Sequence, residues 1–299
     1  MSARAVCALI GVLAAVAACE SPSDSEAGRP AAAIVLPPGD ALPPEIDAML
    51  YGNGQNCRQD SECPGEVCYF GACVGMLVVD QRWMQEQVVD RMLEDSAASP
   101  ELRERMVTHL VRVVQRKDTD LAFRARALLP LQRLGALEPL RAALASPEDA
   151  LADAAALGLA RLGDAAGVAR TRALTESDDL AVASEALRAL GASGSPDALV
   201  PLLRTLEPAL DATLLRSALD GLGALGDPRA IAPLIDFLSV APDYLRWRVA
   251  RTLRQLSHAS LGLDEPAWRT WAASHPQPAA PVYSLRSFSA EDDLGLPTP

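Results

Sequence analysis

Few side chains in this 299-residue chain could carry chemistry. Its three histidines are His109, His258 and His275, and none forms a His-Glu or His-x-x-x-His pair. That spacing would set two metal ligands on one helix face. Lys117 is the only lysine among 27 basic residues, so Schiff-base chemistry has a single candidate. There is no G-x-S-x-G elbow to expose a nucleophilic serine and no glycine-rich loop to cradle phosphate. Serines and aspartates gather instead just before apolar runs, where their oxygens cap helices. These absences predict a non-catalytic protein with no metal or cofactor.

The cysteines are more informative. Of the six, Cys57, Cys63, Cys68 and Cys73 fall within 17 residues, with spacings C-x5-C, C-x4-C and C-x4-C. A zinc knuckle would need C-x-x-C or a neighbouring histidine, and neither is present. An even cluster in an exported chain reads as two disulfides, with three pairings open. Gly52, Gly54, Gly65 and Gly71 supply the turns such a knot needs. Each bridge closing a loop of this size contributes roughly 3 kcal/mol. Asp60 and Glu62 could face a calcium ion, but two acids in one turn are commonly just solvated.

Composition sets the frame for these residues. Twenty-seven basic against 39 acidic side chains give a net charge of −12, which excludes a dedicated nucleic-acid binder. Aromatic residues make up only 4% of the chain, and Ala and Leu carry the apolar load, a profile that favours helix over strand.

The N-terminus has an address. Ala5–Ala18 is an apolar run of 14 residues after Arg4, shorter than the ~20 residues a membrane-spanning helix needs. It ends in Val16-Ala17-Ala18-Cys19, which resembles the lipobox of bacterial lipoproteins. The resemblance implies a signal peptide over 1–18, removal just before Cys19 and diacylglycerol on its thiol. Ala15-Val16-Ala17 alone would also suit an ordinary cleavage site releasing a soluble protein. Two or three acyl chains anchor stably where one does not. By resemblance to lipoprotein sorting, Glu20 points to the outer membrane, so the expected location is the bacterial cell envelope. Residues 19–50, rich in Ser, Pro, Ala and acids, read as a lipidated flexible tether.

Residues 51–76 form the cysteine-rich module, and the string CRQDSECPGEVCYFGAC at 57–73 resembles the short Dickkopf-type cysteine-rich motif. A capping helix is expected over 77–98, with Trp83, Val88 and Met92. From 99 to 274 a period emerges. Apolar helices end in Leu134-Gly135, Leu162-Gly163, Leu190-Gly191 and Leu225-Gly226, and more weakly in Leu256-Ser257, at increments of 28, 28, 35 and 31 residues. Two short helices with their turns need about this length. The expected pairs are 100–116 with 119–134, 137–146 with 149–162, 165–176 with 179–190, 196–207 with 211–225, and 228–239 with 243–257. Ser99-Pro100, Ser146-Pro147, Ser195-Pro196 and Asp227-Pro228 are start signals, and the glycine after each leucine suits a left-handed stop. The string LGDPRAIAPLIDFL at 225–238 resembles HEAT-like repeats of the phycobilisome-lyase type. The expected fold is therefore all-α, an α-α superhelix preceded by a small disulfide-rich knot. Leu263–Ser274, with Trp268 and Trp271, would close the array, and 275–299 reads as a disordered tail.

The resemblance also suggests a surface. In HEAT-type arrays the second helix of each pair lines the concave face, and this would place Tyr244, Trp247, Arg248, Arg251 and Arg254 there. Trp, Tyr and Arg dominate protein-binding hot spots. The competing expectation is that Trp247 packs on Trp268 or Trp271. A further family expectation is a ladder from Asp120, Asp211 and Asp243 to Arg124 or Arg126, Arg216 and Arg248. HEAT-like metal oxygenases use paired His-Glu ligands that this chain lacks. The resulting reading is a non-catalytic envelope lipoprotein, attached to the membrane through Cys19. It would act as a scaffold whose partner is a protein of the envelope or the cell exterior. The alternatives are a small-ligand or pigment carrier, or the regulatory subunit of an envelope enzyme.

Overall fold

A computed structural model describes Leu50, 55–58, Leu77, 89–90, Leu93, 100–276 and 278–283, and the backbone of 67–69 and 72–74. The signal segment, Cys19, Cys63, most of the expected 77–98 helix and the chain beyond Tyr283 lie outside the described residues. The chain divides into two compact units, 1–162 and 163–299.

The first unit opens with an antiparallel ribbon of β1 (Val67–Tyr69) and β2 (Ala72–Val74), in which Cys68 stands opposite Cys73. Cys57 is buried and disulfide-bonded. Among the described residues, five helices follow: α1 (Pro100–Gln115), α2 (Leu121–Arg126), α3 (Leu128–Arg133), α4 (Leu137–Leu144) and α5 (Asp149–Arg161). Met106, Leu110, Leu131, Leu140, Leu151 and Leu159 build their core. Leu50 and Leu77, which flank the cysteine-rich module, are buried in that same core. Leu77 N–H donates to Leu50 O at 2.9 Å, and Arg126 donates to Leu77 O at 3.0 Å. The two ends of the module are thus pinned together on the helices.

The single helix expected over 119–134 is broken at Ala127, and the cause is Pro130. A proline has no N–H for the carbonyl four residues earlier, here that of Arg126, and its ring crowds that carbonyl. At the break itself Ala127 N–H bonds to Arg124 O, three residues back, in a tighter turn. The same rule sets other helix starts. Proline is the third residue of α3 and α4, and of two helices in the second unit (Pro201 and Pro233), so the α ladder cannot begin earlier.

The second unit comprises α6 (Ala165–Leu174), α7 (Leu180–Ala192), α8 (Leu199–Arg204), α9 (Ala212–Leu225), α10 (Ile231–Val240), α11 (Asp243–Ser257) and α12 (Glu265–Ser274). Short 3-10 turns over Pro196–Ala198 and Pro228–Ala230 lead into α8 and α10. Ser195 and Asp227 cap those turns as expected. Ser146-Pro147 does not start a helix. Ser146 Oγ accepts from Glu148 N–H, and α5 begins at Asp149. Asp164, Asp179, Asp211 and Asp264 cap α6, α7, α9 and α12 through their carboxylates. The second helices α7, α9 and α11 pack side by side, and α12 packs on α10.

Gly135, Gly163 and Gly226 have the expected positive φ, and His258 takes that conformation in the fifth position. Gly191 does not: it lies inside α7, and Gly194 takes the left-handed turn. Gly191 serves close packing instead. A Cβ there would sit 2.3 Å from Gly221 Cα, so α7 and α9 approach backbone to backbone. Residues 278–283 have no regular structure, and Tyr283 is half-buried.

Candidate functional site

The candidate surface is built on α11. Leu245, Val249 and Leu253 recur every four residues and are fully buried, which fixes one side of the helix against the unit. Thr252 is buried beside them, and its hydroxyl lies 3.3 Å from Leu219 O on α9. The opposite side is therefore turned to solvent. Tyr244 is 56% exposed and Trp247 53% exposed.

Trp247 is held by cations. The guanidinium carbons of Arg248 and Arg251 lie 5.1 and 5.7 Å from its ring centroid, within cation–π range. Both arginines donate to one carboxylate oxygen of Asp220 on α9, at 2.6 and 3.0 Å. One acid thus positions two guanidinium groups without neutralising both. Arg254, exposed one turn further on, adds a third positive charge.

Beside Trp247 lies a cavity of about 370 Å³ lined by Trp247, Ala250, Arg251, Arg254, Leu261 and Leu263. Leu263 is 48% exposed at its mouth. The far wall is the turn into α12, where Gly262 has φ +60° and its carbonyl accepts from Trp268 Nε1 at 2.9 Å. Trp268 is fully buried and meets Trp271 edge to face at 6.1 Å, while Trp271 stacks on His275 at 4.6 Å. The expectation that Trp247 packs on Trp268 or Trp271 is thereby corrected. Those rings satisfy each other, and Trp247 lies against arginines. The arrangement offers an aromatic face, arginine donors and a small apolar recess side by side, which is the chemistry of a protein-binding hot spot.

The expected Asp–Arg ladder does not form. Asp120 and Asp211 spend their carboxylates on the N–H groups of Ala122 and Thr213, as helix caps. Arg124 is buried and makes a two-pronged pair with Glu148, at 2.8 and 2.7 Å, and donates to Val114 O at 2.8 Å. Hydrogen bonding from Arg124 holds the Glu148 carboxyl below its usual range. Arg216 bonds Thr213, and Arg248 bonds Asp220. Capping wins because the aspartate is already beside the helix N–H groups, at no cost in ordering a long side chain.

The partner that sequence reasoning missed is Asp220. It stands 28 and 31 residues before Arg248 and Arg251, one repeat away. A scan for opposite charges at the repeat interval would have found it. Arg188 shows the same relation, with Ser217 29 residues on at 2.9 Å, while also pairing with buried Glu185. Of the remaining candidates, Cys57 is disulfide-bonded, and Cys68 and Cys73 face each other across the ribbon by backbone. Cys19 and Cys63 lie outside the described residues. Among the described residues, no cluster of three His, Cys, Asp or Glu could hold a metal, and no helix is long and apolar enough to cross a membrane.

Comparison with known families finds HEAT repeats over residues 137–211 and a PBS lyase HEAT-like repeat over residues 214–239. The chain therefore carries a helical repeat scaffold of the kind that mediates protein–protein interaction. None of the curated proteins matches it. Among solved structures, the chain is similar to an engineered protein with a crystal structure, at 19% identity and a TM-score of 0.40, over 61% of this chain and 94% of that one.

Proposed function

We propose that this protein is a non-catalytic lipoprotein of the bacterial envelope that holds a partner protein on its HEAT-type repeats, through the exposed face of α11. The partner segment that fits is acidic with an apolar side chain: carboxylates for Arg248, Arg251 and Arg254, and an apolar group for the recess beside Trp247. The carrying observation is Trp247 itself, half-exposed and braced by two arginines that a single carboxylate orients. A large aromatic ring left in water beside an apolar recess is costly unless something covers it. The envelope address is supported by the apolar run ending at Cys19 and by the cysteine cluster, of which Cys57 is disulfide-bonded.

The double change Trp247→Ala with Arg251→Ala tests this. Both side chains lie on the surface, so the melting temperature is expected to change by less than the equivalent of ~1 kcal/mol, while partner binding falls at least ~100-fold, as for loss of a hot spot. Retained binding, or a large drop in melting temperature, would overturn it.

A second reading has one observation behind it. In the first unit a cavity of about 370 Å³ is walled by Val111, Val114, Leu131, Ala143 and Leu151, with Lys117 on its lining. The paired Arg124 and Glu148 also line it, and apolar walls with Lys117 beside that pair suit a small amphipathic acid. Solvent extraction of the native protein followed by mass spectrometry would recover such a ligand at stoichiometric amount if this reading holds.

A further inference from the structure

We infer that the recess beside Trp247 takes the C-terminal end of a partner chain, with an apolar last side chain inside it and the free α-carboxylate on Arg251 and Arg254. The inference rests on the reading of the α11 face as a protein-binding site and names the part of the partner that is held.

The first observation is the shape of the recess. One wall is α11, from Trp247 through Ala250 and Arg251 to Arg254, and the other is the returning segment 260–263. The walls are joined through His258, which ends α11 with a left-handed φ of 58°. Eleven residues of helix from Trp247 to His258 rise about 16 Å, and five extended residues from His258 to Leu263 reach about 16–18 Å. The return therefore draws level with Trp247, and the hydrogen bond from Trp268 Nε1 to Gly262 O ties it down. A cleft between a helix and its own continuation is shut where the chain turns. A segment entering past Trp247 must stop beside Arg254, so a volume of about 370 Å³ suits a chain end and not a segment passing through.

The second observation is a set of unused donors. Arg251 donates to Asp220 through Nη2 at 3.0 Å, but its Nε is buried with no partner, a cost that an arriving acceptor removes. Arg254 is exposed, and among the described residues nothing accepts from its guanidinium. In a chain of net charge −12, this cleft has two arginines and no acid on its lining, which selects for an anion.

The third observation is that the anion must bring an apolar group with it, because Trp247, Ala250, Leu261 and Leu263 make the rest of the lining. Successive side chains of an extended segment point to opposite faces, so an internal acid and its apolar neighbour do not enter together. At a C-terminus the carboxylate and the last side chain share one Cα and enter as a unit. A guanidinium fork then meets the planar carboxylate through charge-assisted hydrogen bonds.

The experiment uses the full chain and synthetic peptides, labelled with rhodamine at the N-terminus, that end in Glu-Ala followed by Leu, Ile, Val, Phe or Met. Each is made with a free carboxylate, with an amidated end, and with Gly-Ser added after the apolar residue. Fluorescence anisotropy is expected to show at least one of them binding ~10-fold or more tightly as the free acid than in either other form, the effect of one charge-assisted bond. That comparison on the wild-type chain depends on no variant folding. Arg251→Gln with Arg254→Gln should remove the preference for the acid, and Trp247→Ala should abolish binding of every form. Equal, Trp247-dependent binding of all three forms would overturn capture of a chain end while leaving the binding face intact. A preference for the acid that survives the double arginine change would also overturn it. So would binding by none of the peptides, whereas a photo-crosslink from position 244 to a partner would still support the face itself.

Discussion

Replacing Gly191 with alanine sets two physical rules against each other. Gly191 lies inside α7 with ordinary helical backbone, so by helix propensity alone an added methyl should stabilise by ~1 kcal/mol. Packing predicts the opposite. The new Cβ would lie 2.3 Å from Gly221 Cα, 2.5 Å from its O and 2.7 Å from its C, all backbone atoms that cannot rotate away. Overpacking a close contact costs ~1–3 kcal/mol, and a backbone clash belongs at the upper end. The net expectation is a loss of about 1–2 kcal/mol, or roughly 2–8 °C at ~2–4 °C per kcal/mol for a unit of this size. Gly223, two residues along α9 from Gly221, is the internal control. Its nearest obstacle is Gln255 Oε1 at 2.7 Å, the far end of a flexible side chain that can swing aside. Gly223→Ala should therefore be neutral or gain up to ~1 kcal/mol. Thermal unfolding followed by tryptophan emission in a Trp83→Phe background reads this unit, since the other three tryptophans, Trp247, Trp268 and Trp271, all lie within it. If Gly191→Ala stabilised as much as Gly223→Ala, the close approach of α7 and α9 would be refuted.

Two further outcomes follow. Glu148→Gln should cost ~1 kcal/mol at neutral pH, because buried Arg124 loses its carboxylate but Glu148 is partly exposed to screening water. Hydrogen bonding from Arg124 holds the folded-state pKa of Glu148 below its unfolded-state value. The wild-type advantage is therefore fully present above that value and disappears as the pH falls through the lower folded-state one. Melting curves that stay equally far apart in strong acid would contradict the pairing. Intact-mass analysis of protein from the native membrane fraction should show a chain beginning at acylated Cys19 with no free thiols, and an unprocessed, reduced chain would remove the envelope address.

Much of the scaffold was legible because caps and prolines act locally. Asp164, Asp179, Asp211 and Asp264 each mark the residue before a helix, and a carboxylate there meets free N–H groups whatever the tertiary context. The break at Ala127 was equally local, since Pro130 alone forbids the bond to Arg126, but the apolar period runs straight through it. Gly191 was misread because a stop glycine and a packing glycine look identical in sequence. Only the neighbouring helix, with Gly221, tells them apart. At the site, the Tyr, Trp and Arg residues of α11 could be picked out by type and helical spacing. Their positioning partner could not, because Asp220 belongs to another repeat and competes with the nearer Asp243. The expected ladder failed for the same reason. Local capping outranks a longer-range pair that must order an arginine side chain.

The proposed function rests on the solvent-facing side of α11 touching a protein. Benzoylphenylalanine placed at Tyr244, 56% exposed on that side, measures this contact directly, with exposed Ala232 on α10 as the comparison position. After irradiation in the native envelope fraction, a discrete heavier species is expected from position 244 alone, lost when Trp247→Ala and Arg251→Ala are added. The same products from both positions, or a species that survives the double change, would contradict a binding site on this face.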